Sequence, residues 1–455
     1  MATQLNGGDN SDLIATLQAR VKELEAENAR LLSQLANCQI QESPGKLERS
    51  GSFHVEKKFH GTDAKEKKSR KGNRKSGEKI ENVPGYNSRF MNHHSKRYVA
   101  LKVMYFGKRY YGFASEAQME PTVESEIFKA LEKTRLLVGD RKESQYSRCG
   151  RTDKGVSSVG QVIALFLRSN LKISGSNDVG SGEIALESQY EREIDYVRVL
   201  NRVLPNDIRI MGWCPVPVNF HARFSCLSRQ YKYFFWKENL NILAMESAGK
   251  KLIGEHDFRN FCKMDAANVH NYRRNITSLE MSPTDVRYGD NELWVIKIRG
   301  SAFLWHQVRC MVAVLFMIGK GLESPNVIDM LLDTTSIPRK PQYTMASEVP
   351  LVLQSCEFED IKFICSSDSG EALHVHLVNE CQSYQLEAAI FHEALINCVP
   401  LSEDQPTRER KKKPSHVPIM LRPTEPSYEE RRSKFDSKHE DHIHTAHLNI
   451  VGLPT

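Results

Sequence analysis

The sequence predicts an α+β protein made of two α/β halves, preceded by an N-terminal coiled-coil helix. Three observations carry this. Apolar alternation of the strand type and 3.6-residue helical stripes interleave in two β-α-β blocks on either side of about residue 215. A heptad repeat lies ahead of both blocks. The segments flanking the central region are polar and charged, as linkers and tails are. The expected organisation is a coiled-coil helix over 1–39, a basic disordered linker over 40–96, a first half over 97–215, a second half over 216–400, and a charged, disordered tail over 401–455.

Between Ile14 and Cys38, the heptad places Ile14, Val21, Asn28 and Leu35 at position a and Leu17, Leu24 and Leu31 at d. A single Asn among branched a residues, with Leu at d, favours a parallel two-stranded coil in register. The alternative is a lone helix, marginal at this length. A basic-zipper DNA-binding protein is excluded by order. Its basic region precedes the zipper and continues the same helix, whereas here the basic run follows, after Pro44 and Gly51. That run, KEKKSRKGNRK, reads as an import signal, a phosphate-binding arm or plain solvated linker.

Order begins at Arg97. Val99, Leu101, Val103 and Tyr105 alternate with other residues and predict a strand. Gly107 and Gly112 bound an aromatic loop holding Tyr110, Tyr111 and Phe113. After Pro121, Thr122 caps a helix with Glu124 and Glu126 in its first turn and Val123, Ile127, Ala130 and Leu131 on its buried stripe. Val162 to Leu167 is apolar on both faces, as a central strand is. Ile194, Val197, Leu200 and Leu204 give a helix ending before Pro205. Ile208 to Cys214, Gln230 to Trp236 and Leu293 to Ile298 read as strands, and Phe303 to Ile318 as a long buried helix. Ser324-Pro325 opens a further helix through Leu332. His442, His444 and His447 near the end read as solvated tail rather than as a metal site.

Charge is unevenly placed. The chain has 455 residues, with 63 basic and 57 acidic side chains and a formal net charge of +6. Lys65 to Lys79 holds eight Lys or Arg and two Glu, so this run alone matches the net charge of the whole chain. Arg408 to Lys413 adds five basic residues against one acid. The rest is net acidic, and nucleic-acid binding by the folded part would need a local positive groove. The longest apolar run, Cys310 to Ile318, falls short of the ~20 residues of a membrane span, which argues against an integral membrane protein. The first residues carry acids and no apolar signal region, so a nuclear or cytoplasmic location is expected. Ten cysteines are scattered without a C-x-x-C pair. That argues against a zinc ribbon or a disulfide framework and for reduced, mostly buried thiols.

The segment richest in chemistry is Tyr146-Ser-Arg-Cys-Gly-Arg-Thr-Asp-Lys-Gly-Val-Ser157, set between two predicted strands. On its pattern alone it is an ordinary charged turn, with glycines and Asp153 where turns favour them. It is not a phosphate loop, because G-x-x-x-x-G-K-[ST] needs Lys directly after Gly155 and Val156 stands there.

Two further blocks change that weighting. Asn219-Phe-His-Ala-Arg-Phe-Ser225 is followed by Arg229-Gln-Tyr-Lys-Tyr233, and Ser301-Ala-Phe-Leu-Trp-His-Gln-Val-Arg309 comes later. With GRTDKGVS, these three blocks in this order resemble the TruA-type tRNA pseudouridine synthase family, from about Tyr98 to Leu353. RCGRTDKGVS, HDFRNFCKMD from His256 to Asp265, and HQVRCMVAVLFMIGKG are similar to the eukaryotic branch acting on tRNA positions 38 and 39. The branch with broader RNA targets usually reads ARTDKGVHA in the first block. Here Gly150 precedes Arg151, and Ser157 stands where that His would be.

The resemblance implies mixed, largely antiparallel sheets flanked by helices around a central RNA-binding cleft. It also implies a homodimer, a tRNA substrate, no cofactor and no metal. Asp153 would be the catalytic carboxylate, acting as nucleophile or as base toward the C2′ proton. Burial would raise its pKa and an adjacent cation would lower it. Arg309 matches the family's basic partner of that aspartate; on residues alone it would be a helix-surface ion pair. Tyr231 matches the active-site tyrosine that stacks on the uracil, though a Tyr in an alternating strand is ordinarily core. Arg151 matches the arginine that fills the place of the extruded base and holds phosphate. Lys154, Arg148, Arg223 and Arg229 are expected on the RNA backbone, or else as surface charges; His221, His256 and His306 are expected to be structural. Two other readings are a catalytically silent tRNA-binding protein on the same fold and a coiled-coil scaffold with a passenger domain.

Overall fold

The computed structural model describes residues 95–115, 119–171, 192–398 and 416–437, together with Lys22, Ala26 and Arg30. Residues 1–83 and 84–455 form separate units. In the first, Lys22, Ala26 and Arg30 are helical and exposed, and they hold outer positions of the heptad. The coiled coil otherwise lies outside the described residues, as do the linker up to residue 94 and the terminal histidines.

In the second unit, strand β1 (Lys96–Tyr105) lies antiparallel between β4 (Ile208–Pro215) and β3 (Ser157–Arg168), with the short β2 (Ser147–Arg148) on β3. Alternation splits β1 between two cores. Val99, Leu101 and Val103 face helices α1 (Val123–Lys133) and α2 (Tyr196–Asn201), while Tyr98 and Ala100 join Val162, Phe220 and Ala222 on the other side. Thr122 caps α1 as expected: its hydroxyl accepts from Ser125 N while the Ser125 hydroxyl accepts from Thr122 N, a reciprocal capping box. Helix α2 is shorter than its stripe suggests: Asp195, accepting from Arg198 N, caps its start, and it ends at Asn201 ahead of Leu204.

The second half adds β5 (Ser228–Trp236), α3 (Ile242–Lys250), β6 (Gly254–Asp257), β7 (Arg273–Tyr288), β8 (Asn291–Gly300), α4 (Gln307–Gly319), α5 (Val327–Leu332), β9 (Leu351–Glu357) and α6 (Ser367–Ile396). Both halves share one nine-stranded sheet: eight strands in the order β4-β1-β3-β9-β5-β8-β7-β6, with β2 paired to β3 off this path. Every pairing is antiparallel except β3 with β9. Helices α3 and α4 cover β5 and β8 through Met245, Ala248, Met311 and Leu315.

The β3–β9 junction is tight. Ser158 Oγ donates to Leu353 O at 2.9 Å, and a Cβ on Gly160 would sit 2.2 Å from Gln354 O. Only glycine lets the two backbones approach this closely. Helix α4 begins at Gln307 rather than Phe303, because His306 sits in the left-handed region at φ 62° and breaks the helical path. Part of the expected tail is folded. Ile419 is fully buried among α4 and β5 residues, Thr424 bridges to Pro341, and residues 428–437 are helical. The apolar side chains of this stretch, and not its overall charge, decide that. No helix among the described residues is long and apolar enough to cross a membrane.

Candidate active site

The loop between β2 and β3 is held from several sides. The buried Gln161 amide clamps Gly150, accepting from its N–H at 3.1 Å and donating to its carbonyl at 2.9 Å. Thr152 Oγ1 lies 2.8 Å from the Tyr105 hydroxyl, and Phe113 N donates to Thr152 O. Val156 N closes a turn onto Asp153 O, with Gly155 at φ 81°, a region an L side chain would enter only with strain. The aromatic loop read from the sequence thus forms one wall of the Asp153 turn.

Across from this turn stands the first turn of α4. Arg309, 7% exposed, donates from Nε to Ala346 O at 2.8 Å and from Nη2 to Glu348 Oε2 at 2.7 Å. Its Nη1 lies 3.8 Å from Asp153 Oδ2, an ion pair without a hydrogen bond. His306 Nε2 lies 3.6 Å from the same oxygen. Burial raises the Asp153 carboxyl above its ordinary value; Arg309, a hydrogen bond from Trp305 and Lys263 pull it partway back, while Glu348 pushes with burial. Of the two opposing effects, burial is the larger. Burial also lowers His306 to about 4, helped by Arg309, Lys263 and Lys340, so its ring is neutral at physiological pH.

Tyr231 lies on β5, in register with Ile298 of β8 and Leu353 of β9. Its ring meets Phe303 edge-on at 5.1 Å. Burial pushes its hydroxyl far above the ordinary tyrosine value, and Asp153 is close enough to add to that effect. Asp153, Arg309 and Tyr231, far apart in sequence, therefore converge across the central strands.

The other basic candidates divide. Arg151 is exposed next to Asp153. Lys154 lies 4.3 Å over the Tyr111 ring, and Arg223 is exposed beside Phe224. Lys263, which the sequence reading passed over, lies 4.2 Å over Trp305. Arg148 is turned inward, 2.6 Å from the buried Glu124 carboxylate. Arg229 spends its guanidinium on three carbonyls, those of Ser301, Cys149 and Arg223. His306 and Glu348 were not singled out from the sequence as parts of a site. Neither has a sequence signal of its own; Glu348 reads as one acid in a loop, and only the fold brings it to Arg309.

Comparison with known proteins gives the chain's family. Residues 248–359, from α3 to β9, match the model of a family described as tRNA pseudouridine synthase. The chain is 47% identical over 310 residues to the tRNA pseudouridine(38/39) synthase of Bos taurus, covering 66% of this chain and 64% of that protein. It is 41% identical over 312 residues to the protein of the same name in Saccharomyces cerevisiae, covering 65% of this chain and 66% of the yeast protein. The chain thus spans slightly less than two thirds of these relatives' length. With tRNA pseudouridine synthase A of Methanosphaera stadtmanae, identity is 31% over 296 residues, covering 64% of this chain and 95% of the archaeal protein. A likeness at this level over nearly the whole of the archaeal protein, with the three sequence blocks folded around one carboxylate, places the chain in the tRNA pseudouridine synthase family.

Proposed function

We propose that the chain isomerises uridine to pseudouridine at positions 38 and 39 of the tRNA anticodon stem-loop, with Asp153 as the catalytic carboxylate. The observation that carries the reading is the placement of Asp153 at the head of a tight, glycine-closed turn, desolvated and facing the buried Arg309. The reaction breaks the N1–C1′ bond, turns the freed uracil and joins C5 to C1′. The C5 proton leaves and N1 regains one, so neither oxidant nor energy source is needed.

Asp153 acts at the sugar or the base while Arg309 keeps it ionised in a dry site. Tyr231 supports the uracil ring, and its elevated hydroxyl stays protonated, fit to donate a hydrogen bond. Arg151 takes the place of the extruded base, offsetting an unstacking cost of a few kcal/mol. The cation–aromatic pairs Lys154–Tyr111, Arg223–Phe224 and Lys263–Trp305 offer phosphate and stacking contacts at the rim of an RNA-binding cleft. Arg148 and Arg229 support the site from within. The homodimer implied by the family resemblance has a candidate face on α6, where Leu386, Ile390, Phe391 and Leu395 are exposed. The N-terminal heptad is a second contributor.

The deciding experiment is tritium release from tRNA transcripts labelled at uridine C5. Release should need both Asp153 and the uridines at 38 and 39. Release that survives their replacement by cytidine would move the protein to another branch. Tight tRNA binding without release would favour the silent RNA-binding protein.

A further inference from the structure

Three cysteines from separate parts of the chain meet beneath the Asp153 loop. Cys149 follows β2 and opens that loop, Cys226 precedes β5, and Cys356 lies on β9. Their sulfur atoms all lie within 4.8 Å of one another. Cys149 and Cys226 are 2% and 9% exposed, and none of the three is in a disulfide. Three sulfurs at zinc-bond length from one ion stand about 3.8 Å apart, so shifts of an ångström or less would bring all three to coordinating distance, leaving the fourth tetrahedral position to a non-protein ligand such as water. Among the described residues this is the one group of three or more ligand atoms so gathered.

We propose that Cys149, Cys226 and Cys356 bind one soft, thiophilic divalent cation of the zinc class, which pins the Asp153 loop to the joint between the two halves of the sheet. Soft thiolates select such ions. Binding replaces the three S–H protons with the cation and releases three protons to solvent, leaving a site of net charge −1. Arg229 supplies the matching positive charge. It pairs in register with Cys356 across β5 and β9, and its Nη2 lies 3.3 Å from the Cys149 carbonyl. Tyr98, Val162 and Phe220 pack in the same cluster and form an apolar shell that keeps water from the sulfurs. A lone buried thiol packs as a small hydrophobe. Three of them converging beside a fixed guanidinium make a ligand set, and the loop they anchor carries the carboxylate.

The test uses the full chain purified under reducing conditions. Metal content is measured by mass spectrometry before and after chelation, and cobalt(II) is then added to the stripped protein. The expected result is about one zinc equivalent per chain and a sulfur-to-cobalt charge-transfer band. C356S should bring zinc from about one equivalent to under about a tenth and abolish the band, while C381S, at an exposed helix cysteine, keeps both. Cys149 and Cys226 are more deeply buried, so C356S, checked for native circular dichroism, decides the matter. Zinc should also raise the melting temperature of the wild type and leave that of C356S unchanged. A folded, reduced wild type that takes up no zinc and shows no cobalt band would overturn the proposal. So would metal retained after all three cysteines are replaced, or a disulfide between two of them as the native state.

Discussion

Asp153 is held in an environment that disfavours its charge, and this has consequences for both stability and rate. Its folded pKa is raised, chiefly by burial. Below the ordinary carboxylate range the group is protonated in both folded and unfolded chains. As pH rises, the unfolded chain ionises first, so stability falls through the window up to the folded pKa and stays lower above it. Asp153→Asn should therefore melt higher than wild type at neutral pH and lose that advantage near pH 3, while turnover falls by about 10³-fold or more. Equal melting temperatures at both pH values would show that the carboxylate carries no such strain. On the proposed mechanism the ionised form does the chemistry, so activity should rise with pH through the same folded pKa. Arg309→Met removes the largest opposing effect on Asp153 and should move that acid limb to higher pH. It also strands Glu348, 2.7 Å away, and should cost about 2–4 kcal/mol, less than a fully buried pair because Glu348 is partly exposed. A pH–rate profile unchanged in Arg309→Met would sink this account of the pair.

At the scale of elements, the contact of β3 with β9 matters most, because it joins the strand after the Asp153 turn to the strand beside Tyr231. Gly160→Ala puts a methyl 2.2 Å from the Gln354 carbonyl, against backbone that cannot swing away. The expected loss is about 2–4 kcal/mol in urea unfolding, with turnover falling alongside it. A variant as stable as wild type would mean that the junction opens without consequence. His306 makes a smaller test of the same kind: its left-handed backbone should make His306→Val cost about 1–2 kcal/mol more than His306→Gly. These elements also show what a sequence can and cannot reveal. Apolar alternation marks β1, a run apolar on both faces marks β3, short apolar and aromatic runs mark β4, β5 and β8, and Thr122 announces α1, because each signal lies within a few residues. Strand β7 was passed over because its sixteen residues are mostly half-buried or exposed and alternate weakly. In α6, only Ser369 and Leu373 are buried across thirty residues, so it shows no buried stripe. The three sequence blocks marked Asp153, Tyr231 and Arg309. His306 reads as structural and the cysteines as buried thiols, and Glu348 has no signal, because their role at the site is a distance in space, which no local spacing encodes.

For the whole molecule, the expectation of a charged tail and the structure part company at residues 416–437. Composition averages over the segment, and the average is polar. Folding responds to the few side chains that find a cavity, and Ile419 finds one in the core that holds α4 and β5. Around it, Glu323 accepts from Ile419 N at 2.7 Å and lies 2.8 Å from His416 Nε2. Thr424 pairs with Pro341, and the nearly buried Lys340 lies 3.7 Å from Glu425. Tyr428 meets Tyr272 edge-on at 5.8 Å. Ending the chain at residue 400 would uncover the Ile419 cavity and take from Lys340 its acidic partner. Refilling that cavity with water forfeits about 2 kcal/mol of apolar burial, and the polar contacts add a similar amount. The truncated chain should therefore unfold about 3–5 kcal/mol more easily in urea, a large share of the stability of an ordinary domain. Ile419→Ala in the full chain should reproduce about half of that loss. Because Lys340 and Tyr343 connect this segment to Cys262, Asn260 and, through Ala346, to Arg309, the truncation should also raise KM or lower kcat at temperatures where the protein remains folded. A truncated chain with wild-type stability and turnover would show that residues 416–437 rest on the surface without supporting the site.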